Sequence, residues 1–233
     1  MPGKIVMLCY KNGALAREKL RDRYAGGNWL AFNELVEKTP PGCNGFVGFY
    51  FPLPEIIPPN ITGEFFFTTS HIRIASDLPF QVDDIPNSVH PRAILESQLL
   101  SIRSRIHRIL PNDSNSVRRL VISGGSSTNE VIRQLAAVSR LVVGQLADLM
   151  FSPKDVFNLE VYVSLTEEGA CYGGALLAKY LWWNKSNTSG SFEDMMRDEG
   201  GLVCVARPRP LDAQIYDNLV HVYEQCEQQL MQI

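Results

Sequence analysis

Apolar and polar positions follow one another in blocks whose periods indicate the elements. Residues 4–10 form a short apolar run, read as a strand at a sheet edge. It passes through Lys11-Asn12-Gly13, a turn in which glycine supplies a positive φ, into a charged helix from Ala14 to Arg23. Trp29, Phe32, Leu35 and Val36 share one face of a second helix, Trp29 to Lys38. Pro40-Pro41-Gly42 and Asn44-Gly45 mark turns before Phe46–Phe51, an aromatic run suited to a strand. Pro52, Pro54, Pro58 and Pro59 then exclude regular structure, and residues 60–90 read as irregular apart from a short strand at Phe65–Thr68.

The pattern sharpens from Pro91, which stands in a first helical turn, where proline is favoured. Leu95, Leu99, Ile102, Ile106 and Ile109 recur at helical spacing, and Ile94 and Leu110 widen the stripe. A loop (Pro111–Ser116), a strand (Val117–Ile122) and a Gly-Ser-rich turn (Ser123–Thr128) lead to a helix from Asn129. A second strand, Leu159–Val163, runs through Thr166-Glu167-Glu168-Gly169 into a glycine- and alanine-rich helix, Ala170–Trp183. A polar loop, Asn184–Gly201, precedes a last amphipathic helix from Leu211. Strand, turn, helix, strand and helix in that order over 117–183 predict an α/β layered fold.

Composition narrows the partners. Hydrophobic residues are 45% and charged residues 20% of the 233, enough for one sizeable core and ordinary for a soluble globular protein. A net charge of −3 gives no long-range attraction for nucleic acid or an anionic membrane, so neither is expected as a partner. The basic cluster Arg103, Arg105, Arg108, Arg118 and Arg119 reads as solvated helix and strand ends. Cys9, Cys43, Cys171, Cys204 and Cys226 share no metal-ligand spacing with one another or with His71, His90, His107 and His221. No metal site is expected from them, and reduced cysteines fit a cytoplasmic setting. The opening residues are too quickly polar for a signal peptide, and no apolar run approaches the roughly 18 residues of a membrane span.

Candidate chemistry lies in Leu120–Asn129. An apolar strand runs into Gly124-Gly125, then small hydroxylated residues beginning with Ser126, then a helix opening at Asn129. Adjacent glycines let a ligand lie on the backbone, and a helix start offers free N–H groups to polar or anionic atoms. Asn129 can cap that helix or donate to a ligand. A tight strand-to-helix turn that holds no ligand is the other reading. The stretch lacks the Gly-Lys-Ser/Thr of a P-loop, the GxGxxG of a dinucleotide fold and the G-x-S-x-G of a nucleophile elbow.

Four segments carry a more specific likeness: Met7 to Lys19 (MLCYKNGALAREK), Trp29 to Leu35 (WLAFNEL), Pro41 to Pro58 (PGCNGFVGFYFPLPEIIP) and Ser123 to Asn129 (SGGSSTN). In order and spacing they resemble the C-terminal domain of the FGGY carbohydrate kinases, and most of all the eukaryotic xylulose-kinase branch. The helix bearing Ile215, Tyr216 and Tyr223 is similar too, so the resemblance spans nearly all of residues 1–233. It implies the second actin-like, ribonuclease-H-like domain of a sugar kinase, an α/β mixed sheet flanked by helices, with ATP in a cleft between domains. Gly124 and Gly125 would pass beneath the adenosine, Asn129 and Ser126 would serve as polar partners, and Trp29 would stand near the nucleotide, unless it is a core residue of its helix. The Gly42–Gly48 loop would border the same cleft, and Gly169, Gly173 and Gly174 would pack their helix under the nucleotide turn. The activity implied is ATP- and Mg²⁺-dependent phosphorylation of D-xylulose at its terminal hydroxyl.

Two departures qualify that expectation. Such kinases have, ahead of the segment matched from Met7, a sugar-binding domain, a proton-accepting Asp and a Gly-Thr-Ser-type phosphate loop, none of which this sequence contains. No catalytic residue is therefore expected in the chain, and alone it would be inactive. Asp83-Asp84 and Glu167-Glu168 read as loop solubility and helix N-terminal charge. Second, deleting Val138–Lys154 would join the helix smoothly to the family's next strand. That stretch is either an insertion, of the kind a retained intron makes, or a helix extension, since Leu135, Val138, Val142, Leu146 and Leu149 keep helical spacing. Besides a kinase half, a non-catalytic nucleotide-binding module and a truncated gene product remain open on sequence.

Overall fold

The computed structural model describes residues 5–69, 79–109, 120–137, 159–164, 168–185, 190–197, 201–207 and 210–232. The segment 138–154 and the arginines at 118 and 119 lie outside the described residues.

Helix α3 (His90–Ile109) is an element on which several others pack. Helices α1 (Gly13–Tyr24), α2 (Trp29–Lys38), α4 (Glu130–Ala137) and α7 (Pro210–Leu230) and strand β1 (Phe46–Phe51) all lie against it. Strand β1 opens an antiparallel meander with β2 (Gly63–Thr68) and β3 (Phe80–Val82), its register running from Phe46 opposite Thr68 to Phe51 opposite Gly63. The aromatic content of β1 and β2 forms the core. Phe49 and Phe67 are fully buried, and the Phe49 ring meets Phe67 at 5.9 Å and Tyr223 of α7 at 5.0 Å. A second sheet joins β4 (Leu120–Ile122) parallel to β5 (Val161–Ser164), and β5 antiparallel to β6 (Leu202–Ala206). Helix α4 covers it through Ala136 and Ala137, which pack with Val161 and Ala206. The expected order of strand, turn, helix and strand is thus present.

What binds α3 to its neighbours is polar as well as apolar. Arg92 donates through Nε to Glu96 at 2.6 Å, through Nη1 to the Val36 and Thr39 carbonyls at 3.0 Å, and through Nη2 to the Tyr216 hydroxyl at 2.8 Å. Glu96 also accepts from Tyr216 at 2.5 Å, from the Gly42 N–H at 3.1 Å and from the Cys43 thiol at 3.3 Å. Burial, with the Glu96 charge beside it, pushes the Tyr216 hydroxyl and the Cys43 thiol well up, so both stay protonated and donate. Further along, Arg103 pairs with Asp217, Arg105 with Glu227 at 2.6 Å and Arg108 with Glu224 at 3.2 Å. The expectation that this arginine cluster is solvated is therefore corrected: Arg103, Arg105 and Arg108 reach acids on α7, and the first two do so at a buried seam.

Other expectations change for local reasons. Residues 5–10 form no strand; Ile5 and Met7 stay exposed because no described strand runs beside them. Gly13 needs no positive φ, since it is the first residue of α1. The turn is held instead by buried Glu55, which accepts from the N–H groups of Lys11 and Asn12, while Asn12 bonds both ways with Leu53. Burial pushes the Glu55 carboxyl up, but the hydrogen bonds from Lys11, Ile56 and Asn12 outweigh it and hold it below the usual carboxylate range. Strand β3 was not expected in 60–90. The polar stretch after Asn184 contains a short helix, α6 (Phe192–Met196), opened by a capping box between Ser191 and Asp194, and β6 follows it. Asp84, read as a solubilising loop acid, reaches His90 at 3.4 Å and accepts from the Ile85 N–H at 2.8 Å.

His90, at the start of α3, is fully buried. Its ring stacks on Tyr24 at 4.3 Å, its Nδ1 bonds the Tyr50 hydroxyl at 2.9 Å, and Phe66 meets it edge-on. Burial pulls its pKa down; the charges of Asp84 and Glu64 oppose this and Arg23 adds to it, leaving the pKa below the ordinary value. The folded state therefore disfavours the imidazolium. The stability this contributes is present above the unfolded pKa of about 6.5 and is lost as pH falls below it. Melting temperature is expected to drop between neutral pH and about pH 5.5, and His90→Asn to flatten that slope; an unchanged slope in the variant would assign the effect to other groups. At the α3 seam, Glu96→Gln leaves Arg92 buried without its counter-charge and is expected to cost about 3–5 kcal/mol in denaturant unfolding, against about 1–2 kcal/mol for Tyr216→Phe. Equal losses in the two variants would show that charge pairing is not what the cluster depends on.

Candidate functional site

The chain leaves β4 at Ser123 and enters a 3-10 turn, Gly124–Ser127, before α4. The hydroxyls following the glycines build this turn. Ser127 Oγ donates to the Gly124 carbonyl at 2.7 Å, and Thr128 Oγ1 donates to the Gly125 carbonyl at 3.0 Å. Asn129 then caps α4, its Oδ1 accepting from the Ile132 N–H at 3.1 Å, while its Nδ2 donates across to Asn33 Oδ1 of α2 at 2.9 Å. The two glycines serve different needs. Gly124 has a φ of +71°, a conformation that other residues adopt only with strain. Gly125 lies outside the left-handed region, and a Cβ placed on it meets nothing within 4 Å.

Beside this turn, between it and helices α1 and α2, lies a hollow of about 570 Å³. Of the residues singled out in the sequence, Trp29, Gly125, Ser126 and Asn129 line it together, and Gly124 precedes the lining without joining it. Trp29 is neither core nor free: 36% exposed, it packs edge-on against Phe32 at 5.4 Å and carries the Arg21 guanidinium 4.8 Å from its ring centroid. Sequence reasoning missed Ala14, Arg17 and Glu18 on α1 and Asn33 on α2. Helical spacing held part of the signal, since Asn33 follows Trp29 by one turn and Ala14, Arg17 and Glu18 fall on one face. Arg17 joins the site through the turn itself, donating to Ser126 Oγ at 3.0 Å and to Gln98 Oε1 at 2.7 Å. A second hollow of about 580 Å³ adjoins the first, sharing Asn33 and Glu130 with it.

Two expected neighbours are elsewhere. Of the stretch around Gly42–Gly48, only Pro41 reaches the second hollow. Gly42 approaches Ile215 and Leu219 of α7, and Gly48 faces the Tyr50 ring, so the loop serves the core. Helix α5 (Gly169–Asn184) does not pack under the turn. It has no buried residue, a Cβ on Gly169, Gly173 or Gly174 meets nothing within 4 Å, and its main neighbour is α6. Tyr180 of α5 holds that contact through edge packing with Phe192 at 5.5 Å.

The lining thus offers an aromatic ring, a guanidinium, amides, small hydroxyls and the carboxylates of Glu18 and Glu130. Among the described residues no group of three or more His, Cys, Asp or Glu is gathered as a metal site, and no helix is long and apolar enough to cross a membrane.

Comparison with known proteins identifies the family. The model of the FGGY family of carbohydrate kinases, C-terminal domain, matches residues 7–182. Xylulose kinase from Mus musculus is 30% identical over 233 residues, an alignment covering 97% of this chain and 36% of that protein. Xylulose kinase 2 from Arabidopsis thaliana is 32% identical over 194 residues, covering 81% of this chain and 30% of its own length. Among solved structures, a ligand-bound xylulose kinase from Lactobacillus acidophilus aligns with a TM-score of 0.63 at 17% identity, over 95% of this chain and 39% of that one. A gluconate kinase from the same organism aligns at 0.65 with 16% identity, again over 95% of this chain and 39% of that one. At such identities the structures speak for the fold alone. The chain spans little more than a third of the length of the mouse relative. It belongs to the FGGY family of carbohydrate kinases and has the fold of that family's C-terminal domain, a mixed sheet flanked by helices.

Proposed function

We propose that this chain is the ATP-binding half of a sugar kinase, whose phosphoryl acceptor is the terminal hydroxyl of D-xylulose held by an N-terminal domain. The observation that carries the reading is the convergence of Trp29, Gly125, Ser126 and Asn129, drawn from two separate sequence segments, on one hollow. Bound there, ATP supplies the phosphoryl group to be transferred. The chain's own contribution is positioning, on which phosphoryl transfer largely depends. Gly125 leaves room for the adenosine to approach the backbone, Trp29 offers a ring near the base, and Asn129 fixes the turn to α2. Magnesium generally keeps several waters and is held through substrate phosphates rather than a dedicated protein cage. That suits a wall whose carboxylates, Glu18 and Glu130, are not gathered into a ligand cluster among the described residues. D-xylulose as acceptor follows the names of the relatives. All five cysteines are free, which fits a cytoplasmic enzyme.

Calorimetric titration with ATP·Mg²⁺ tests the reading. Gly125→Val adds its side chain to open space without backbone strain, so the variant is expected to fold normally and lose at least tenfold in ATP affinity. Gly124→Ala meets the positive φ instead and is expected to lose about 1–2 kcal/mol of stability. Undiminished binding in a folded Gly125→Val chain would move the nucleotide away from this turn.

A further inference from the structure

Among the described residues Arg17 is the cation that lines the hollow, and the fold gives it no direct counter-charge. Its side chain is part-buried, and its two hydrogen bonds go to neutral oxygens, Gln98 Oε1 and Ser126 Oγ. Among the described residues no carboxylate lies within ion-pair distance of it; Glu18, its neighbour in the chain, acts on it only through space. Three neighbouring arginines differ. Arg21 has Asp22, Arg23 has Glu64 and Arg92 has Glu96. Desolvation pulls the Arg17 pKa down, the sign that its charge is held at a cost, although a guanidinium stays protonated at neutral pH.

The geometry is that of a prepared donor. Gln98, on α3, receives Nη1 at 2.7 Å and is itself anchored, its amide donating to the Gly13 carbonyl at 3.0 Å. Nη2 is pinned at 3.0 Å to the hydroxyl of Ser126, within the same turn as Gly125. The guanidinium has five N–H donors, and these two bonds leave others for the hollow.

We propose that Arg17 is the seat for a phosphate of the bound nucleotide, supplying the charge that pairs with it beside the Gly125–Ser126 backbone. This rests on the nucleotide reading of the hollow. Charge-assisted bonds from a planar guanidinium suit phosphate oxygens, and they strengthen where water is partly excluded. Glu18 and Glu130 line the same hollow and repel a bare polyanion, so the magnesium complex, with less net charge, is the favoured form. A binding role also has a stability signature. Removing Arg17 loses its bonds to Gln98 and Ser126 but also relieves a desolvated charge, so the melting temperature is expected to change little.

The experiment titrates wild-type, Arg17→Gln and Arg17→Lys chains with ATP·Mg²⁺, with adenosine and with inorganic tripolyphosphate·Mg²⁺, alongside thermal melts of each. Arg17→Gln is expected to lose about tenfold or more for ATP and tripolyphosphate, keep adenosine affinity and keep its melting temperature, with Arg17→Lys recovering part of the loss. Equal losses for ATP and adenosine, or unchanged ATP affinity, would overturn the phosphate seat while leaving the nucleotide reading intact. Tripolyphosphate bound in an Arg17-dependent way without any ATP binding would keep the anion seat and remove the nucleotide reading. A wild-type chain that binds neither would remove both.

Discussion

The buried ion pair of Arg92 and Glu96 is the constraint around which this domain is arranged. Two opposite charges taken out of water are tolerable only where nearly every remaining donor and acceptor is used. Here the partners that satisfy them come from four parts of the chain: the end of α2, the turn at Gly42-Cys43, α7 through Tyr216, and α3 itself. Such a cluster admits few alternative arrangements. It fixes the C-terminal end of α2 against α3, and α2 is also the helix that brings Trp29 and Asn33 to the hollow. The polar core and the candidate site are therefore joined by one short rigid element.

A second link closes the circuit. Gln98 lies on α3, just beyond Glu96, and holds both the start of α1 and the Arg17 side chain. Asn129 ties the glycine turn to Asn33. The walls of the hollow thus belong to α1, α2, the turn before α4 and the first turn of α4, and α1, α2 and the turn are referred to α3 or to one another by hydrogen bonds between residues far apart in sequence. Binding groups placed in this way depend on the core more than on their own loops.

How far the sequence foretold this arrangement differs by element. The long helices were legible because their apolar residues recur with helical period, and Trp29–Lys38 matches its expected bounds. Strand β1 was legible from its apolar, aromatic-rich run. The short strands β3 and β6 were not; their pairing with β2 and β5 is what makes them strands. The arginines of α3 misled for a related reason: a charged residue on a helix reads as solvent-facing until a second helix supplies its acid, and Asp217 and Glu227 lie more than a hundred residues away. In the site, the glycine turn announced itself by composition, and the family likeness drew attention to Trp29. Arg17 could not be read in the same way. Its meaning lies in lacking a carboxylate, which is a property of three-dimensional surroundings alone.

The turn after β4 closes on itself. Ser127 and Thr128 bond back to the carbonyls of the two glycines, and Asn129 holds the helix that follows. Its shape is consequently fixed by its own bonds, and a molecule meeting it has little backbone to organise. On the proposed nucleotide reading, selection at such a surface rests on fit at the moment of contact rather than on a slow rearrangement, so discrimination is exercised through how quickly the wrong molecule leaves.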